Sequence, residues 1–221
     1  MSRGKRSRAQ RGRPSAERSP AAQRRATAST RSPRGDATRD ALLRVGRRLF
    51  AERGFAGVGT EEIVTEAGVT RGALYHHFAD KRDLFRGVHE QLEQALVADI
   101  GERIGGIEDP WELIVTGVRA FLDSCTDPAI RRIALLDAPA VLGWAEWREI
   151  DARYGLGLIG FGLQNAMDRG VLAQRPVRPL AHLLMGAMAE AAMVIANAED
   201  PAAARDQVET PLLALVEGLG N

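Results

Sequence analysis

Two adjacent histidines, His76 and His77, lie in the stretch VTRGALYHHFADK (residues 69–81), together with a tyrosine and one of the chain's two lysines. Two imidazoles on one helix chelate a metal at a spacing of i, i+3 or i, i+4, because only then do they share a face. Neighbouring residues diverge by about 100° on a helix of 3.6 residues per turn. The remaining histidines, His89 and His182, belong to other predicted helices. We therefore predict no metal site at this pair and no cofactor.

The sequence carries no arrangement of residues that is typical of an enzyme. Ser-His-Asp, HExxH, Walker-type and glycine-rich dinucleotide-binding patterns do not occur in it. The single cysteine, Cys125, excludes a disulfide framework and a cysteine-based zinc site. We interpret Cys125 as a small buried apolar residue. A hydrolase using aspartate or histidine in an aromatic cavity is thus the least favoured class of function, and we predict that the protein is not an enzyme.

The spacing around the paired histidines fits a helix-turn-helix. A short helix predicted from Thr60 to about Ala67 is followed by Gly68 and by a second short helix from Thr70 to about Phe78. The Thr70 hydroxyl is a natural N-cap for the second helix. We expect an inward-facing apolar set to hold the two helices as one rigid body: Ile63, Ala67, Val69, Leu74 and Phe78.

The outward-facing residues of this unit combine small side chains with donors suited to DNA. The predicted contact set is Thr60, Thr70, Arg71, Gly72, Ala73, Tyr75, His76 and Lys81. Small residues at the start of the second helix let its backbone approach the major groove, where Arg71 can bind guanine or a phosphate. Thr60, Tyr75 and Lys81 carry donors suited to phosphate oxygens. We expect His76 to face DNA and His77 to pack against the scaffold.

The run RRLFAERGFAGVGTEEIVTEAGVTRGALYHHFADKRDLF (residues 47–85) resembles the N-terminal DNA-binding domain of the tetracycline-repressor (TetR) family of bacterial transcriptional regulators. The string G-V-T-R-G-A-L-Y-H-H-F, followed by an acid and a lysine, carries most of the resemblance. The resemblance implies a dimer, usually a repressor, whose recognition helices enter successive major grooves of a palindromic operator. It also implies an all-α C-terminal domain that binds a small molecule and dimerises through its last two helices. By position, the family's DNA contacts fall on the eight residues named above. Val64 stands where the family more often has alanine.

Charge divides the chain into three predicted parts. Residues 1–35 contain 11 basic residues and one acid, residues 36–85 contain eight of each, and residues 86–221 contain 11 basic residues and 20 acids. A basic arm, a neutral module and an acidic body indicate that a polyanion is bound at one end only. We predict a disordered basic arm at 1–35, a helix-turn-helix domain at 36–85, and a ligand-binding and dimerisation domain at 86–221.

The basic arm contains Arg11-Gly-Arg13-Pro14, which resembles the core of an AT-hook. An extended peptide with two arginines suits the narrow, negative minor groove of A·T-rich DNA. Arg11 and Arg13 are therefore candidate DNA contacts. The equally weighted alternative is a solvated tail that adds only unspecific attraction.

Helical periodicity continues to the end of the chain, and no strand pattern of useful length appears. Asp-Pro pairs begin at residues 109, 127 and 200, each placing a cap residue before a proline at the first helical position. We predict an all-α fold of about nine helices, the later ones near 110–125, 128–137, 143–169, 179–198 and 201–218. Pro211 is expected to kink or split the last of them.

The apolar stretch Leu180–Ala198 is nearly long enough to span a bilayer. Polar interruptions and the lack of a basic flank or an aromatic belt favour a buried helix. We therefore expect a cytoplasmic protein that has no membrane partner.

Six of the chain's 11 aromatic residues lie in the part that the resembling family uses for its ligand pocket. We predict that they line an effector site: Trp111, Phe121, Trp144, Trp147, Tyr154 and Phe161. Candidates for its polar groups are His89, Asp137, Gln164 and Asn165. The alternative for any single aromatic residue is a place in the core. As a group, with surplus acids, they favour a bulky apolar or cationic effector.

The combined prediction is a ligand-responsive transcriptional regulator that binds a double-stranded operator as a homodimer and responds to a small molecule. The alternative is an architectural DNA-binding protein that has no ligand, which a solid C-terminal domain would favour. The sequence identifies neither the effector nor the operator.

Overall fold

The computed structural model describes residues 33–220, which form an all-α fold of nine helices. The helices are α1 (Pro33–Arg53), α2 (Thr60–Glu66), α3 (Arg71–His77), α4 (Lys81–Ile104), α5 (Pro110–Ser124), α6 (128–142), α7 (Trp144–Asp168), α8 (Val177–Asn197) and α9 (Pro201–Glu217), and the single turn Gly218–Gly220 follows. The predicted fold class is confirmed over this part of the chain. Arg11 and Arg13 lie outside the described residues.

Side-chain caps begin the helices that follow Thr70 and the three Asp-Pro pairs, as the sequence predicts, and Asp80 caps α4. Thr70 Oγ1 accepts a hydrogen bond from the Ala73 N–H at 3.2 Å, and Asp80 Oδ1 accepts one from the Asp83 N–H at 2.7 Å. The three aspartates of the Asp-Pro pairs cap α5, α6 and α9 in the same way. Each cap satisfies backbone donors that the first turn of a helix leaves unpaired.

The first three helices pack on α4 and α6 around one apolar core. From the N-terminal side this core buries Leu42, Leu43, Phe50, Ile63, Leu74, Leu84 and Phe85, and from α6 and α7 it buries Ile133, Ala138, Leu142, Trp147 and Ile150. The ring of Phe85 contacts Phe50 and Phe55 edge-on, with centroids 5.2 Å apart in both pairs. Helices α1 and α4 thus pack directly against α6, and α2 and α3 pack on α1.

Helix α4 crosses the predicted boundary between residues 85 and 86 without a break. Leu84, Phe85, Val88 and Leu92 belong to the core of the N-terminal helices. Ile100 and Ile104 belong to a separate cluster with α5. One helix therefore connects the two predicted domains.

Helix α6 is a continuous run in three pieces: Pro128–Ile130, the π-helical Arg131–Asp137, and Ala138–Leu142. The Ala138 N–H donates to the carbonyl of Ile133, five residues earlier, which is the hydrogen-bond pattern of a π-helix. Pro139 has no N–H and cannot continue an i to i−4 ladder. Because Pro139 gives no N–H to the carbonyl four residues earlier, the α-helical ladder is interrupted where the π-helical piece meets Ala138–Leu142.

The last two long helices, α8 and α9, are both continuous. Pro211 does not split its helix, because α9 runs unbroken from Pro201 to Glu217. Helix α8 is long and apolar enough to cross a membrane, with 39% of its most apolar window buried in this chain. Its buried side chains, among them Ala181, Ala192 and Ile195, pack in a cluster with α5, α7 and α9.

Candidate DNA-binding surface and effector cavity

The α2–α3 unit has a buried base, which makes its outer face rigid. Ile63, Leu74 and Phe78 are buried, while Ala67 and Val69 pack against the same core as half-buried residues. Gly68, in the turn between the helices, has φ +65°, a conformation that L side chains rarely adopt. The inward set predicted from the sequence therefore matches the structure.

The outer face of α3 presents Arg71, Tyr75 and His76 to solvent. The Arg71 side chain is 65% exposed and its guanidinium lies 2.8 Å from Glu61 Oε1. The same guanidinium lies 5.6 Å from the centre of the Tyr75 ring. Thr70 and Gly72 are also exposed, whereas Thr60 and Ala73 are half-buried. Arg71 is thus held above Tyr75 by contacts that a phosphate or a base can replace at little cost.

The paired histidines diverge as the sequence predicts. His76 is exposed and His77 is half-buried. Their ring planes meet at 76°, with centroids 5.0 Å apart. The two imidazoles therefore project from different sides of α3.

Lys81 has a second role besides the predicted one of hydrogen-bond donor to a DNA phosphate. Its ammonium donates to the carbonyls of Phe55 and Val58, both at 2.9 Å. It also lies 4.1 Å from the centre of the Phe55 ring. An ammonium has three N–H donors, so Lys81 closes the loop after α1 and keeps one donor for another partner.

A cavity of about 140 Å³ lies between α4, α5, α6, α7 and α8. Its walls are mostly aliphatic, and include Leu96, Val97, Ile100, Val118 and Leu163. The buried thiol of Cys125 also lines it. Burial raises the pKa of Cys125 to about 12, which makes it a neutral wall residue.

Of the six aromatic residues predicted to line the effector site, Phe121 and Trp147 line this cavity, and the other four lie outside it. Trp144, at the start of α7, is 65% exposed, and its ring lies tilted at 55° to that of Trp147 with the centroids 4.9 Å apart. Phe161 is 58% exposed on the outer face of α7. Trp111 packs in the cluster of α5, α7, α8 and α9. The Tyr154 hydroxyl pairs with Gln94 at 3.0 Å. The aromatic composition thus pointed to the part of the chain that forms the cavity. These four side chains lie on sides of their helices that do not face it.

The polar candidates drawn from the sequence do not line the cavity. Asp137 accepts the Phe55 N–H at 2.6 Å and lies 3.6 Å from Arg132, so it connects α6 to the N-terminal helices. Gln164 donates to Asp168 on α7, and Asn165 is half-buried on the same helix. His89 is fully buried behind the wall.

The polar groups of the cavity are Glu93, Arg148 and Asp151. Burial raises the pKa of Glu93 to about 8, with a further contribution from Asp151. Burial raises the pKa of Asp151 to about 6, against a lowering by Arg148. Sequence reasoning missed all three, although Glu93 lies one helical turn beyond His89 on α4.

Comparison with known proteins decides between the classes of function. Residues 42–88 match the family model described as "Bacterial regulatory proteins, tetR family". Residues 111–219 match the model described as "Tetracyclin repressor-like, C-terminal domain". The chain belongs to the TetR family. It is thus a DNA-binding transcriptional regulator and not an enzyme.

Related members of the TetR family agree with this assignment. A TetR-family regulator from Pectobacterium atrosepticum has 36% sequence identity and a TM-score of 0.77, covering 84% of this chain and 95% of its own. The Transposon Tn10 TetC protein from Escherichia coli is 27% identical over 67% of this chain and 75% of its own length. The regulator AcrR from Shigella flexneri is 46% identical over 29% of this chain, and the match spans only 28% of AcrR. RolR, solved with resorcinol, shares the fold at 18% identity, with a TM-score of 0.67, over 85% of this chain and 95% of its own.

Proposed function

We propose that this TetR-family protein is a repressor that binds a palindromic operator as a homodimer and is released by a small effector in its cavity. The observation that carries the proposal is the double role of α4. Its first half packs in the core beneath the helix-turn-helix, and its second half, from Glu93 to Ile104, lines the cavity. A ligand that displaces this helix must displace the DNA-binding unit with it. The protein would act in the cytoplasm.

The DNA contacts proposed for each subunit lie on and around α3. Thr70, Gly72 and Ala73 let the start of the helix approach the groove, while Arg71 reads or positions DNA. Tyr75 and His76 extend the same exposed face by one turn. Thr60 and the remaining N–H of Lys81 are proposed phosphate contacts. Arg11 and Arg13 are proposed minor-groove contacts of the arm.

The effector proposed for the cavity is a small, mainly apolar molecule. An apolar cavity of about 150 Å³ accommodates a benzene-sized ligand, and the cavity here is of about that size. RolR, which has the same fold, was solved with resorcinol, a ligand of that size class. Glu93, Arg148 and Asp151 give one wall a polar patch, so a ligand that carries a donor or a positive charge fits better than a hydrocarbon.

Helix α6 offers a second route from the cavity to the DNA-binding unit. Ile130, Ala134 and Leu135 line the cavity. On the same helix, Asp137 binds the backbone of Phe55. Arg82, at the start of α4, donates to the carbonyls of Val141 and Leu142 at 3.1 and 2.9 Å. Movement of either α4 or α6 therefore reaches the loop that supports α2.

The proposed dimer forms through α8 and α9. Leu183 is 72% exposed on α8, and Val194 and Leu215 are also exposed large apolar side chains of these helices. Leu183 and Val194 lie 11 residues apart, about three helical turns, and so project from the same side of α8. Two exposed apolar side chains on one side of α8 support a place for this helix in the proposed interface, since contiguous apolar surface marks association sites.

A ligand-independent architectural role, the alternative open at the level of sequence, requires a solid C-terminal domain. The cavity between α4 and α8 favours the ligand-responsive role instead.

The test begins with an operator selected from random duplexes by the full-length protein. We expect a palindrome whose half-sites are one helical turn apart, about 34–36 Å, because two recognition helices must enter successive grooves. Leu183→Glu should yield monomers by light scattering and lose most of the operator affinity. Recovery of a single, unrepeated half-site, or tight binding by a monomer, would contradict the proposal.

A further inference from the structure

Three ionisable side chains meet at the inner wall of the cavity. His89 and Glu93 lie one turn apart on α4, and Asp151 faces them from α7. One ligand atom from each of the three lies within 4.8 Å of those from the others. His89 Nδ1 is 3.9 Å from Glu93 Oε1, and its Nε2 is 4.0 Å from Asp151 Oδ1. Such distances are too long for hydrogen bonds.

His89 is the unusual member of this cluster. It is fully buried, and neither of its ring nitrogens has a hydrogen-bond partner. A buried polar atom without a partner destabilises the fold relative to a satisfied one. A cation that binds one ring nitrogen together with both carboxylates gives that nitrogen a partner, while the other nitrogen carries the N–H.

The geometry points to a site for a divalent first-row transition-metal ion, such as Zn²⁺, Ni²⁺ or Mn²⁺, held by His89, Glu93 and Asp151. Three atoms no more than 4.8 Å apart enclose a point that is at most about 2.8 Å from each. Metal bonds to nitrogen and oxygen are about 2.0–2.2 Å long, so closure requires shifts of less than about 1 Å. A spacing of i, i+4 on one helix brings His89 and Glu93 onto the same face.

The surroundings support a small ion at this place. Glu93 and Asp151 line the cavity whereas His89 lies behind them, so remaining coordination positions would face the cavity. Arg148 Nη1 lies 3.7 Å from Asp151 Oδ2, the oxygen that does not face His89. The positive charge of Arg148 thus lies on the side of the carboxylate that faces away from the site, and leaves the other oxygen for an ion.

A bound ion would join α4 to α7 next to the core of the DNA-binding unit. This proposal goes beyond the regulatory role and does not depend on it, because the ion can be measured without DNA or effector. Loss of operator binding with intact metal binding would refute only the proposed function. Loss of metal binding with intact operator binding would refute only the metal site.

The test titrates Zn²⁺, Ni²⁺ and Mn²⁺, each alone, into untagged, full-length protein freed of metal by a chelator. We expect one equivalent per chain by calorimetry for at least one of these ions. Glu93→Gln and Asp151→Asn should each weaken binding by at least about 100-fold, a loss at the upper end of that seen even for outer-shell partners. Glu102→Gln, an exposed acid on the same helix, should have no effect. Circular dichroism of each variant in chelator verifies the fold.

Co²⁺ provides a second readout that does not depend on variants. Binding through the His89 nitrogen should give visible ligand-field bands that saturate at one equivalent and disappear on adding Zn²⁺. The proposal is overturned if none of the ions binds, or if binding survives undiminished in both Glu93→Gln and Asp151→Asn.

Discussion

The two halves of α4 lie in contrasting surroundings. Around Leu84, Phe85 and Val88 the helix is packed without exposure, and the Phe85 ring contacts the rings of Phe50 and Phe55 edge-on. From Glu93 onward the same helix borders a cavity. One helix can therefore serve two purposes. Its solid half, residues 81–92, packs in the core that supports α3. Its hollow half, residues 93–104, borders the cavity and leaves space for a ligand.

The largest difference expected between the halves is in stability. Leu84→Ala removes a fully buried side chain from the solid half and should lower the free energy of unfolding by about 2–5 kcal/mol. Leu96→Ala, on the hollow half, should cost only about 1 kcal/mol, because its side chain already faces a void. Urea denaturation of both variants measures the difference. Equal losses would abolish the contrast.

Next in size is the effect of the exposed arginine on DNA binding. Arg71→Ala should weaken operator binding by about 10- to 100-fold, since a well-placed arginine contributes about 1–3 kcal/mol. Its ion pair with Glu61 is exposed, so stability should hardly change. Fluorescence anisotropy with the selected operator gives the affinity. Arg103→Ala, at the far end of α4, is the control and should bind normally; if the two variants behave alike, α3 is not the recognition helix.

Filling the cavity should separate ligand response from DNA binding. Val97→Trp places an indole where the effector is proposed to bind, so effector affinity should fall by at least about 10-fold while operator affinity is retained. Ala98→Trp, one residue on and exposed, is the matched control. Calorimetry with a compound found by thermal-shift screening supplies the measurement. Undiminished effector binding in Val97→Trp would place the effector elsewhere.

A smaller effect is expected where α6 meets the N-terminal helices. Asp137→Asn weakens the hydrogen bond to the Phe55 N–H and removes the charge beside Arg132, at a cost of about 1–2 kcal/mol. The ratio of operator dissociation constants with and without effector should fall by about 3- to 10-fold. Asp168→Asn, at the end of α7, is the control. An unchanged ratio would assign the coupling to α4 alone.

Local chemistry made most of the fold predictable. The caps at Thr70, Asp80 and Asp109 and the turn glycine Gly68 act on neighbouring residues, so the sequence located helix ends to within a few residues. The phase of apolar residues also separated the buried Leu74 from the exposed arginine on α3.

Contacts between distant residues were beyond such reasoning. Lys81 binds carbonyls 26 and 23 residues away, and Asp137 binds a backbone N–H 82 residues away. Which aromatic side chains face the cavity depends on the rotation of α7 against α4, which no local pattern encodes. Glu93 and Asp151 were missed for the same reason, because they become a pair only when those two helices pack.

The most direct test of the account measures operator affinity with and without a saturating effector that binds wild-type protein but not Val97→Trp. If a ligand beside the hollow half of α4 shifts the whole helix and the DNA-binding unit with it, the dissociation constant for the operator should rise by about 5- to 150-fold. The operator should weaken effector binding by the same factor. An unchanged operator dissociation constant, with effector occupancy verified by calorimetry, would contradict the account.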